Sequence, residues 1–132
     1  MKIVVAYDGG EPARRALELT SQLSEKFDAE VAVISVVPIH PGRAPIDPWD
    51  DMEVHKTQLA EAKTFLAERG IEPVLIERAG EPGPTIEHFA DANGYDVIVI
   101  GSRGLNAVSR VLQGSVSEHV ATHAAATVVV AR

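Results

Sequence analysis

The chain has 132 residues, is 45% apolar and 23% charged, and carries a net charge of −7 and no cysteine. That length fits one domain with a full hydrophobic core, and the composition argues against global disorder, a disulfide scaffold or a thiolate metal site. The acidic balance lacks the basic face of a nucleic-acid binder. The N-terminus lacks a signal-peptide apolar region, and no run approaches the ~20 apolar residues of a membrane span, so a cytoplasmic protein with neither partner is expected.

Lys2–Tyr7 is a short, β-branched apolar run and reads as the first strand. Asp8-Gly9-Gly10 forms a turn, and Pro12 stands where the first turn of a helix tolerates it. Ala13, Ala16, Leu17, Thr20, Leu23 and Phe27 then recur at helical spacing and predict one buried stripe. Val31–Val37 is a second apolar run, as expected of a parallel strand buried on both faces. Pro38 ends it, and four prolines across Pro38–Asp51 predict a long loop, a lid or binding loop that contains Trp49. Trp49 either closes over a ligand or packs that loop on the body.

A helix is expected from about Met52 to Arg69, with Leu59, Ala62 and Leu66 inward and Gly70 as its stop. Val74–Glu77 is the third strand, an edge strand because Pro73 beside it cannot donate to a ladder. Gly80–Pro84 turns the chain into a helix with Ile86, Phe89 and Ala90 on one face, ended by Gly94. Asp96–Ile100 is an apolar, central fourth strand. A loop to Gly114, a helix over Ser115–His123 and a last strand over Thr127–Ala131 complete the chain. Strict alternation of strands and helices predicts an α/β fold, a single doubly wound parallel sheet with helices on both faces. No linker or repeat divides residues 1–132.

In such sheets ligands bind beyond the C-terminal strand ends, where the winding reverses. Two glycine turns lie at such ends, Asp8-Gly9-Gly10 and Gly101-Ser102-Arg103-Gly104, and they face each other if the first and fourth strands are neighbours. Gly101 and Gly104 let backbone approach a ligand, and Gly114-Ser115 stands at a helix start, where free N–H groups and the helix dipole favour an anion. Arg103 and Arg110 add positive charge, and no acidic residue occurs from Gly101 to Ser117 in an otherwise acidic chain. The segment is therefore a candidate phosphate loop. Each residue also has a plainer use: the glycines as turn residues, and Ser115 with Glu118 as a helix capping box. Neither a Walker ending nor a dinucleotide G-x-G-x-x-G is present.

The spacing Gly101-x2-Gly104-x9-Gly114-Ser115 resembles the G-2x-G-9x-G-S/T motif of the universal stress protein family, in its ATP-binding branch. The runs Gly101-Ser-Arg-Gly-Leu, Gly114-Ser-Val-Ser-Glu, Val5-Ala-Tyr-Asp-Gly9 and Gly80-Glu-Pro82 are also similar to that family, and the resemblance covers the whole chain. It implies a five-stranded, Rossmann-like sheet of order 3-2-1-4-5 and a stress-response regulatory function. It places Asp8 at the adenosine end and Val36 in the adenine pocket. Gly101 and Gly104 would lie along ribose and phosphates, and Gly114, Ser115 and Val116 would hold phosphate oxygens, with Arg103 adding charge. ATP would bring Mg2+ or Mn2+ with it, held mainly by its phosphates. Two departures stand out: Gly10 where the family often has serine, and His123-Ala-Ala-Ala-Thr127 in place of a proline-containing stretch.

The family is commonly dimeric through its last strand. The apolar edge Thr127–Ala131, with no later element in the sequence to cover it, gives an independent reason to expect a homodimer. ATP occupancy would order the Pro38–Asp51 and Gly104–Gly114 loops and change the surface shown to a protein partner. Two alternatives stay open: a slow ATPase or self-phosphorylating protein, with Ser109 as a possible acceptor, and an interaction module that binds no nucleotide. His119 and His123, four apart on one helix, are read as surface histidines rather than half of a metal site.

Overall fold

The computed structural model describes residues 1–39, 48–102 and 115–132. Five strands alternate with four helices: β1 Lys2–Ala6, α1 Glu11–Phe27, β2 Glu30–Pro38, α2 Pro48–Ala67, β3 Val74–Gly80, α3 Pro82–Ala92, β4 Val97–Gly101, α4 Ser115–His123 and β5 Thr127–Ala131. The strands form one parallel sheet in the order β3-β2-β1-β4-β5. The expected doubly wound topology, with β3 at an edge and β1 beside β4, is therefore present.

Alternation within each strand divides the core between the two faces. Ile3, Val5, Val31, Val33 and Val99 meet Ala13, Ala16 and Leu17 of α1 and Leu59, Ala62 and Leu66 of α2. On the other face Val4, Ala32, Ile34, Ile98 and Ile100 meet Ile86 and Ala90 of α3 and Val120 of α4. Strands buried on both sides read as continuous apolar runs for this reason.

Several boundaries differ from expectation. α2 begins at Pro48 rather than near Met52, so the last residues of the proposed loop are helical, and proline is tolerated there because the first-turn N–H has no intrahelical acceptor. The same physics starts α3 at Pro82, inside the expected Gly80–Pro84 turn. β3 runs on to Gly80, paired along its length with β2 up to the rung Pro38–Gly80. Phe27, expected inside, is 55% exposed, because α1 ends there and the chain turns through Asp28 in a left-handed conformation. The side chain of Trp49 and the loop residues 40–47 lie outside what is described.

The two ends of the sheet are unlike. At the N-terminal end the strands are tied together: Glu30 N–H donates to Met1 O, Asp96 N–H to Lys2 O and Thr127 N–H to Asp96 O. The Lys2 ammonium donates to Asn93 O and lies over the Tyr95 ring, while the Lys2 backbone N–H donates to the Asp96 carboxylate. Burial, with the nearby Glu30 charge, pushes the Tyr95 phenol above its ordinary range. Among the described residues no helix is long and apolar enough to cross a membrane.

Candidate functional site

At the C-terminal end the sheet opens. The β1–β4 ladder stops at the pair Val5–Val99, although β1 continues to Ala6 and β4 to Gly101. This is the point at which the winding direction reverses, with α1 and α2 on one face and α3 and α4 on the other. The Asp8–Gly10 turn leaves one lip of the opening and Gly101-Ser102 the other.

The first lip is held by its own side chain. Asp8 Oδ1 accepts a hydrogen bond from Gly10 N–H at 2.9 Å, a local turn that asparagine and aspartate favour, and Gly9 takes φ 82°, which glycine adopts without strain. The second lip explains one motif glycine in a way the spacing did not. A Cβ on Gly101 would lie 2.7 Å from the Pro12 carbonyl carbon and 2.9 Å from Ala13 N. The missing side chain therefore lets the first turn of α1 pack against the end of β4. Ser102 N–H then bonds Ala131 O at 2.8 Å, fixing the exit of the chain beside β5.

Val36 lies on the neighbouring strand. Glu30 and Ile34 turn their backbone groups toward β1, as the bonds from Glu30 N–H to Met1 O and from Tyr7 N–H to Ile34 O show. Val36 continues this alternation by two residues, so its N–H and C=O point to the side where β1 has ended. Its side chain packs on the α3/α4 face, on the same apolar cluster that Val116 joins from the first turn of α4. Asp8, Val36, Gly101 and Val116 are thus gathered at one end of the sheet. Arg103, Gly104 and Gly114 lie outside the described residues, as do Ser109, Arg110 and the side chain of Ser115, on which the capping-box alternative turns. Beside the opening, Glu11, Pro12, Arg15, Ser102 and Arg132 line a cavity of about 580 Å3.

Ser35, His55 and Gln58, which the sequence did not single out, border the same end. Ser35, fully buried, shares a short hydrogen bond with His55 Nδ1 of α2. One turn along, the Gln58 carboxamide lies against Gly9. Farther along α2, Glu61 approaches the Tyr7 hydroxyl at 3.5 Å, and burial is the main cause that pushes that phenol up. The available signal was a lone serine inside the apolar run of β2 and two polar residues, His55 and Gln58, on the edge of the inward stripe of α2.

The histidine pair of α4 is less superficial than expected. His119 Nε2 meets Glu87 of α3 at 3.0 Å, its ring stacks on His123, and Gly83 leaves the room for it. It clamps α3 to α4, and among the described residues no group of three or more His, Asp or Glu gathers to hold a metal ion.

The profile of the Universal stress protein family matches residues 1–132. A universal stress protein of Bacillus subtilis is 28% identical over 99% of this chain and 98% of its own length, and one of Methanocaldococcus jannaschii is 30% identical over 99% and 81%. Among solved structures, the universal stress protein of Archaeoglobus fulgidus in complex with dAMP is 27% identical, with a TM-score of 0.79, covering 100% of this chain and 98% of that one. With sheet order, whole-chain profile match and relatives all in agreement, the chain belongs to the universal stress protein family.

Proposed function

We propose that this chain is an ATP-binding regulatory protein of the stress response, with its nucleotide laid across the C-terminal ends of β2, β1 and β4. The observation that carries this is the opening of the β1–β4 ladder beyond Val5–Val99, out of which the glycine-spaced segment leads. Parallel sheets bind ligands at this point because the strand ends diverge there and leave backbone groups without partners. The adenosine end would meet Asp8 and the β1-facing edge of Val36. The phosphates would lie toward the start of α4, where Gly114, Ser115 and Val116 supply N–H groups and Arg103 charge. Mg2+ or Mn2+ would enter on the phosphate oxygens. That the Archaeoglobus fulgidus relative is solved in complex with dAMP supports an adenine nucleotide as the ligand.

Occupancy would change the surface around the crevice and so what a protein partner meets. Pairing of β5 with its copy would make a homodimer: Val130 is 40% exposed on that edge strand, and apolar strand edges are stable when paired. Calorimetric titration with Mg-ATP, beside a Gly104→Val variant, tests the proposal. Saturable binding that the variant loses is expected, and sedimentation of the same samples should give a dimer mass. Equal binding by both proteins would remove the glycine segment from the site, and a monomer mass at every concentration would remove the dimer.

A further inference from the structure

The Gln58 carboxamide sits at the lip of the proposed nucleotide site, against the Gly9 turn. Its Oε1 is buried and has no hydrogen-bond partner among the described residues. A Cβ on Gly9 would lie 3.1 Å from its Nε2 and 3.3 Å from its Cγ, so the glycine turn after β1 leaves the space in which this side chain lies. The preceding turn of α2 is pinned by the His55–Ser35 hydrogen bond, which fixes Gln58 beside the end of β2 as well. A buried carbonyl oxygen without a donor carries the full cost of its lost hydration, and such atoms in a native fold call for an explanation.

We propose that Gln58 is a specificity-determining residue of the nucleotide site, its carboxamide reading the edge of an adenine base. A carboxamide offers an acceptor and a donor side by side. Adenine offers the complement, its exocyclic amine beside a ring nitrogen. Guanine offers two acceptors, O6 and N7, at the corresponding edge, and one of them would face Oε1. A base placed over the end of β1 has the outward N–H and C=O of Val36 on one side and Gln58, across Gly9, on the other. The buried oxygen is then satisfied by the ligand and not by the protein. This role rests on the adenine-nucleotide function proposed above.

The test compares wild type, Gln58→Leu and Gln58→Glu by calorimetry with Mg-ATP and, separately, Mg-GTP, and follows the melting of each ligand-free protein. Wild type should prefer ATP. Both variants should lose about tenfold to a hundredfold in ATP affinity, with little change toward GTP, the discrimination expected of one bidentate base contact. Ligand-free Gln58→Leu should melt no lower than wild type, since it removes an oxygen that has no partner. An unchanged ATP-to-GTP ratio, with a lowered melting temperature, would reduce Gln58 to a prop for the Gly9 turn and overturn the inference. Wild type that binds neither nucleotide would overturn the proposed function itself, and the inference with it.

Discussion

Gly101→Val is expected to destabilise the protein by the upper end of about 1–3 kcal/mol, the usual cost of overpacking a filled site. The reason is backbone, not side chain. A β-carbon at this position would stand 2.7 Å from the Pro12 carbonyl carbon, 2.8 Å from Pro12 Cβ and 2.9 Å from Ala13 N, all closer than β-carbons come to other atoms. The first turn of α1 cannot yield alone: Arg14 N–H is bonded to Gly10 O, and Ala13, Ala16 and Leu17 are locked in the core behind it. Relief requires α1 to move away from β4, which widens the crevice at its base. Denaturant unfolding should show a lower midpoint at an unchanged slope. A midpoint within ~0.5 kcal/mol of wild type, the ordinary range for a surface substitution, would mean that α1 and β4 do not approach as described.

Ile98→Ala should cost about 2–5 kcal/mol, as expected for a large side chain removed from a core that cannot collapse. Ile98 is fully buried in β4, in register with Val4 on one side and Val128 on the other, and it packs in the cluster of Ile86, Ala90 and Val120. Neighbouring strands fix its backbone on both sides, so the cavity would stay open. Against the ~5–15 kcal/mol total of a typical domain, that is a large fraction of the stability. Thermal or urea unfolding reads the loss, and a cost under 1 kcal/mol would contradict the packing of the α3/α4 face.

The order of elements was legible because β1, β2, β4 and β5 are short apolar runs, with Pro38 closing β2 and Gly101 closing β4. The 3-2-1-4-5 order itself came from the family resemblance, with Pro73 beside β3 agreeing on one edge. Two helices start earlier than their sequence suggests: Pro48 and Pro82 open α2 and α3, since proline is excluded from helix interiors and not from first turns. Phe27 matched the stripe of α1 by period, but periodicity cannot tell that a helix has already reached the end of the sheet that covers it.

At the site, the sequence placed Asp8, Val36 and Gly101 at strand ends, and the structure sets those ends around one opening. What spacing could not convey is contact between distant segments. Gly101 meets Pro12, Gln58 meets Gly9, and His55 meets Ser35, each pair joined by the winding of the sheet and not by local pattern.

The proposed function puts an adenine nucleotide across the opening between β1 and β4. Backbone amide shifts of the labelled protein, followed as Mg-ATP is added to saturation, test it most directly. The largest shifts should fall on Asp8–Gly10, Val36, Gly101-Ser102 and Val116, while Lys2, Glu30, Asn93 and Asp96 at the tied end stay in place. No shifts at saturating nucleotide, or shifts gathered at the tied end, would rule that placement out.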